Sequence, residues 1–367
     1  MGPPKPSGTS IAVQMGAPFP ISKLEKTMSL LSRQVEVLAN ASSKFRAVAR
    51  RSLAEVRDEF KQTGHVVGIS DKRLEVRKKL AQAAGDSYWQ ERFIGNVDLL
   101  PVNFLERGAI AAKSVCRLEL KELGSGQVEY ATGFLVGNDL LLTNNHVLPS
   151  EDEARRARAR FDMADDARNS ELISHVFKLD PARFFCTHPT LDYTLVAVSP
   201  TGEDGSLLAT FGNSVLISTP GKTIVSEHLN IIQHPGGQAK QIAIRDNHLV
   251  GEQEDFLLYE TDTMHGSSGS PVYSDNWFVV AVHCSGVPNA DQAIRLVDKQ
   301  TDNEGNDKSS SAPARFSANC GVRISRIFED LATRPDLGPD KRNLACAVFR
   351  TADDIAAGIT LSPTPMT

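Results

Sequence analysis

What most constrains the fold of this chain is a succession of short strands and turns that begins near Phe104 and runs past Val282. Ser114–Leu120, Val128–Val136, Leu140–Thr143 and Tyr193–Val198 are short and rich in Val, Leu and Tyr. Asn230–Gln233, Gln241–Ile244, Phe256–Tyr259 and Trp277–Val282 continue the series. Turn residues separate them, including Gly137-Asn138-Asp139 and Pro235-Gly236-Gly237. Many short strands at fairly regular spacing predict an all-β barrel or sandwich. Glu151–Arg160, dense in charge, is compatible with a helix but reads rather as a loop decoration, and Val322–Phe328 as a closing strand or helix.

The flanks follow other rules. Residues 1–20 are rich in Gly, Pro and Ser and read as a disordered lead. From Ser22 the period becomes helical: Leu24, Met28, Leu31, Val35 and Leu38 form one apolar stripe. Phe45, Val48, Leu53, Val56 and Phe60 form a second, and a third helix is expected from Asp71 to Ala84, with Asp71 as N-cap and Gly85 as its stop. The expected divisions are therefore a lead (1–20), a helical region (21–103), a β domain (104–330) and a C-terminal tail without clear period (331–367). Asp298–Ala314 reads as a mobile insertion. The helical region is expected to be separable from the β domain, as a packing bundle or as a docking module for a protein partner.

Composition removes several classes of function. A net charge of -5 gives no reason to expect nucleic acid or an anionic membrane as a partner. No apolar run reaches the roughly 18 residues of a membrane span. The opening Met1–Ser7 is Pro-rich and leads into no apolar core, so no secretory signal is visible. The five cysteines are widely spaced and lack C-x-x-C, which argues against a disulfide framework or zinc knuckle and for a reducing, cytoplasmic setting. Cys186 with His188, and His283 with Cys284, also lack metal-ligand spacing, so neither metal nor cofactor is expected.

Three stretches inside the β region carry chemistry. His146 follows an apolar strand and the polar lead Thr143-Asn144-Asn145; Asp192 immediately precedes Tyr193–Val198; Ser268 lies in Gly266-Ser267-Ser268-Gly269-Ser270-Pro271. A serine hydroxyl becomes a useful nucleophile when an imidazole takes its proton during attack. A carboxylate then fixes the imidazole tautomer and stabilises the imidazolium. Asp192 is preferred to Asp180 and Asp204 because it abuts an apolar strand. Gly266 lets the backbone approach a substrate closely, and the N–H groups of Gly266 and Ser268 would serve as an oxyanion hole. The order His, Asp, Ser differs from the Asp-His-Ser and Ser-acid-His orders of other triad hydrolases.

With these motifs the chain resembles the trypsin-like peptidases of the chymotrypsin clan, and within them the bacterial glutamyl-endopeptidase-like branch. Thr143–His146, Asp192-Tyr193, Ile231–Gly237 and Gly266–Val272 carry the resemblance, which spans roughly residues 106–330. It implies a mainly β fold of two perpendicular six-stranded antiparallel barrels with the triad in the cleft between them. It implies a serine endopeptidase acting on protein or peptide substrates; a catalytically silent peptide-binding module or an esterase would use the same residues. Ser267 stands where secreted trypsins carry the aspartate that pairs with a newly cut N-terminus, which argues against activation by that route. For the residue cut after, the resemblance divides. His283 and Thr263 match positions that receive a substrate carboxylate, whereas Asp262 matches the aspartate that selects Arg or Lys; the acidic reading is favoured, ahead of a basic residue and then a small or polar one.

Overall fold

Strands of apolar, β-branched and aromatic residues curl into two antiparallel sheets, and these make up most of the computed structural model. The structure describes residues 62–63, 70–90, 99–121, 128–225, 227–244, 247–261, 263–288 and 316–358. The helical stripes expected over 24–38 and 45–60, the lead, and the insertion at 298–314 lie outside the described residues.

The first sheet has seven strands: β1 (Val115–Lys121), β2 (Val128–Gly137), β3 (Leu140–Thr143), β4 (Arg158–Phe161), β5 (His175–Lys178), β6 (Phe185–His188) and β7 (Tyr193–Ala197). Their order is β5-β4-β1-β2-β3-β7-β6. β2 turns into β3 through Asn138 and Asp139, both at positive φ (52° and 53°). A two-residue hairpin loop needs that conformation to match the twist of its strands. β3 and β7 lie inside the sheet and are buried along their whole length, which is why they read as continuous apolar runs.

The second sheet contains β8 (Val215–Ile217), β9 (Leu229–Gln233), β10 (Gln241–Ala243), β11 (Leu249–Glu252), β12 (Phe256–Tyr259), β13 (Pro271–Ser274), β14 (Phe278–Pro288), β15 (Phe316–Arg323) and β16 (Phe349–Arg350). Its main path is β10-β9-β13-β14-β15-β12-β11, with β8 beside β14 and β16 beside β8, both parallel. The sheets thus have seven and nine strands, where the resemblance implied six and six. One apolar cluster spans both, from Phe134, Leu142 and Tyr193 in the first to Tyr273, Val282 and Val322 in the second.

Four local expectations are corrected. Residues 103–113, placed with the strands, form helix α2 (Asn103–Lys113), preceded in the chain by α1 (Asp71–Ala83). α2 buries Phe104, Gly108 and Ala111, a helical step that the following strands obscured. The N-cap position of α1 is Ser70 rather than Asp71, and no side chain caps it. Glu151–Arg156 is a true helix, α3, capped by the Ser150 hydroxyl, with Glu and Asp in its first turn and Arg in its last. The expected tail carries regular structure as far as the described residues go: after α4 (Ile324–Thr333), which takes up the closing element expected at Val322–Phe328, come α5 (Pro339–Cys346), β16 and α6 (Ala352–Ala356). The elements past residue 338 are too short to show a period.

Helix α1 is built into the second sheet's side of the protein. Arg77, 2% exposed, donates from Nε to both carboxylate oxygens of Glu227 (2.7 and 3.0 Å) and from Nη1 to Asn276 Oδ1 (2.9 Å). Its guanidinium stacks 5.1 Å from the centre of the Trp89 ring, and the Trp89 indole N–H also donates to Glu227. Leu80 packs with Ile217 and with Ala352 and Ile355 of α6. This burial argues against a β domain that is complete without the residues before 100.

Candidate active site

The β3–β7 register brings the first two candidate residues together. Thr143 pairs with Thr194 across the antiparallel strands, so the chain leaving β3 meets the chain entering β7. Asp192 turns into β7 with φ 51° and is completely buried. Its carboxylate accepts from the His146 backbone N–H (3.0 Å) and lies against ring Nδ1 at 2.8 and 3.0 Å. A carboxylate only accepts, so Nδ1 carries the hydrogen and Nε2 presents a lone pair. Burial opposes the charged imidazole, but the charge and hydrogen bond of Asp192 outweigh it and raise the His146 pKa above its ordinary value. The His146 side chain stays 26% exposed, whereas Asp192 beside it is completely buried. Asn144 braces the corner by donating to the Asp192 carbonyl (2.9 Å).

Ser268 sits on the other sheet, in the loop that enters β13. The loop is tied on both sides. Thr132 of β2 donates its N–H to the Ser268 carbonyl (2.9 Å) and its hydroxyl to the Gly266 carbonyl (2.8 Å). Gly269 N–H donates to the His283 carbonyl (2.9 Å), and His283 N–H to the Ser270 carbonyl (2.8 Å). The Ser268 hydroxyl donates to the Cys284 carbonyl at 3.3 Å, long for a hydroxyl bond and easily exchanged. Gly266 has φ 96°, and a Cβ there would stand 2.6 Å from the His234 carbonyl, so only glycine suits the position. His234, expected as a turn residue, is buried and bonded through Nδ1 to the Gln238 carbonyl (2.9 Å); burial pulls its pKa down to about 3.

Of the candidate pocket residues, Asp262 lies outside the described residues. Thr263 donates its hydroxyl to Asn319 Oδ1 (2.6 Å). His283 is buried, with Nδ1 2.8 Å from the Tyr259 hydroxyl. Burial and the nearby His146 push its pKa down to about 3. Thr132, Asn144, Tyr259 and Asn319 were not anticipated. Thr132 has a local signal, the polar residue and Gly133 interrupting the apolar run of β2, and Asn144 has one in the polar lead before His146; Tyr259 and Asn319 have none. Cys186 is buried and lies 3.3 Å from an Arg334 guanidinium nitrogen. Among the described residues no group of three or more His, Cys, Asp and Glu is arranged to hold a metal.

Residues 131–282 match the family model of the trypsin-like peptidase domain, and the chain carries a domain of that trypsin-like serine peptidase class. Among particular proteins, it is similar to the uncharacterized protein y4fB of Sinorhizobium fredii, 38% identical over 280 residues, covering 71% of this chain and 41% of that protein. It is 31% identical over 209 residues to the secreted RxLR effector protein 73 of Plasmopara viticola, covering 51% of this chain and 49% of the relative. A glutamyl endopeptidase of Staphylococcus aureus is 27% identical over 165 residues, covering 43% and 47%. The chain spans about half the length, or somewhat less, of the curated relatives it matches. The Rv3671c protease of M. tuberculosis, in its active form, superposes with TM-score 0.40 at 14% identity, covering 65% of this chain and 89% of that one. Among the described residues no helix is long and apolar enough to cross a membrane.

Proposed function

We propose that this protein is a serine endopeptidase that cuts protein or peptide chains through Ser268, His146 and Asp192. The observation that carries the reading is the buried Asp192 carboxylate, held against Nδ1 of the partly exposed His146 at 2.8 Å. In this scheme His146 Nε2 takes the Ser268 proton as Oγ attacks the scissile carbonyl, and Asp192 stabilises the imidazolium. The oxyanion forms against the N–H groups of Gly266 and Ser268. Each such donor is worth about 2.7–4 kcal/mol in the transition state. His146 then returns the proton to the leaving amine, and water hydrolyses the acyl-enzyme by the same route in reverse. Free thiols at all five cysteines favour a reducing compartment such as the cytoplasm.

The test pairs a fluorophosphonate probe with peptide turnover. Ser268→Ala is expected to lose both labelling and hydrolysis while keeping the wild-type melting temperature, because Ser268 acts on the substrate and not in the core. Undiminished peptide hydrolysis by Ser268→Ala would sink the assignment. Labelling without peptide turnover, alongside rapid ester turnover, would turn the reading to an esterase.

A further inference from the structure

Hydrogen bonds in the loop and strands around Ser268 fix the donors and acceptors of Thr263 and His283, the two residues from which an acidic preference is expected. β12, β15 and β14 lie side by side, and Asn319 faces Tyr259 on one neighbour and Gly286 on the other. Asn319 Nδ2 donates to the Thr261 carbonyl (2.8 Å), which fixes the amide with Oδ1 toward Thr263. Oδ1 can only accept, so the single hydroxyl hydrogen of Thr263 is committed to it at 2.6 Å. Thr263 is left with lone pairs to offer.

The imidazole is governed by a similar chain. The Tyr259 hydroxyl lies 2.8 Å from His283 Nδ1 and 3.2 Å from the Cys320 carbonyl. It reaches there across Gly321, where a Cβ would stand 3.0 Å from the hydroxyl and 2.8 Å from the Val282 carbonyl. If the hydroxyl donates to Nδ1, Nε2 carries a hydrogen; if it donates to Cys320, Nε2 is a bare acceptor. Burial keeps the ring neutral in either case. Thr263, in the loop before Ser268, therefore offers an acceptor, and His283, on the strand bonded to Gly269, offers either a donor or a second acceptor, without a fixed positive charge on either.

We propose that this pocket takes an uncharged primary amide, the side chain of glutamine or asparagine, ahead of a carboxylate. The inference rests on Ser268 being the nucleophile. An amide satisfies both arrangements, through its oxygen and NH₂ in the first and through its two hydrogens in the second. A carboxylate sets an oxygen against the Thr263 lone pairs in both. It fits only if Thr263 abandons Asn319, leaving a buried carbonyl oxygen without its donor.

The experiment is a panel of peptides identical except for Gln, Asn, Glu, Arg or Lys before the scissile bond, cleaved by the full chain at neutral pH. Fluorophosphonate labelling of Ser268 is run alongside. kcat/KM for Gln is expected to exceed that for Glu by about 10- to 100-fold, the effect of one hydrogen-bonding group left unmatched. Thr263→Val should erase most of that ratio, and Asn319→Ala, which frees the Thr263 hydroxyl to donate, should move it toward Glu. A labelled enzyme that prefers Glu, Arg or Lys, or that leaves the Gln peptide uncut, overturns the pocket assignment while the nucleophile stands. Absence of labelling removes nucleophile and pocket together.

Discussion

Asp192 and Glu227 are both buried carboxylates, and their surroundings could hardly differ more. Glu227 is saturated: Arg77 donates to both oxygens, Trp89 and Thr223 add side-chain bonds, and the Ile224 N–H closes the set. The Asp192 carboxylate takes its hydrogen bonds from the backbone and ring of one partly buried histidine, His146. A carboxylate compensated by a fixed guanidinium holds elements together, here α1 against the loop before β9. A carboxylate whose charge is balanced only when its partner gains a proton is matched to a reaction that delivers one. Equal burial does not imply equal purpose; the number and mobility of the donors separate the two.

The sharpest way to break this contrast is to neutralise Asp192. Asp192→Asn should lower kcat by about 10⁴-fold, because an amide favours the wrong imidazole tautomer, with little change in urea midpoint. A melting temperature that falls with activity would make Asp192 a second structural carboxylate. The opposite pattern is expected at the other site. Arg77→Leu strands Glu227 without its cation and should cost about 3–5 kcal/mol of stability, read by urea unfolding, while kcat at low temperature stays near wild type. A chain starting at residue 100 lacks Arg77 and Trp89 together and is expected to be insoluble or unfolded.

That last outcome was not legible in the sequence, and the reason is physical. Arg77 and Glu227 are 150 residues apart, and nothing local to either marks a partner. The site motifs were legible because each is local: a turn after an apolar strand, an aspartate entering one, a glycine-bracketed serine. Strand edges such as Leu140–Thr143 and Phe256–Tyr259 were read correctly because turn residues bound them. β16 and α6 escaped because two to five residues cannot display a period. The donor pattern around Thr263 and His283 depends on Asn319 and Tyr259, which reach them through pairing across strands.

Acid should separate the two regions by midpoint. His146 must be neutral to accept the Ser268 proton, and Asp192 raises its pKa, so kcat/KM should fall as pH drops through a value above the ordinary 6.5. In Asp192→Asn the midpoint should move to lower pH. The fold responds later. His234 is held neutral by burial, aided by Lys240 and Arg117, with its pKa near 3 in the folded chain against an ordinary 6.5. Below pH 6.5 the unfolded chain binds a proton there that the folded chain refuses. The stability from this group is therefore intact above 6.5 and lost progressively toward 3. Urea midpoints measured across this range should decline after activity has gone, and His234→Gln should flatten the decline. Coincident loss of activity and fold would contradict the division.

The smallest expected effect tests how far the structural region around Glu227 extends. Thr351 caps α6: its hydroxyl accepts from the Asp354 N–H (3.1 Å), and Asp354 Oδ2 accepts from the Thr351 N–H (2.7 Å). Thr351→Ala removes one half of this capping box and should cost about 0.5–2 kcal/mol by urea unfolding. α6 packs Ala352 and Ile355 against Leu80 of α1, and Lys79 reaches Asp353 at 2.6 Å. If α1 and α6 form one unit around the Arg77–Glu227 bond, the cap and the clamp are coupled. The double variant with Arg77→Leu should then lose less stability than the two single losses added, because the clamp mutant has already loosened the surface on which α6 rests. Strict additivity would mean that α6 is held independently of α1, confining the structural region to α1 and the residues around Glu227.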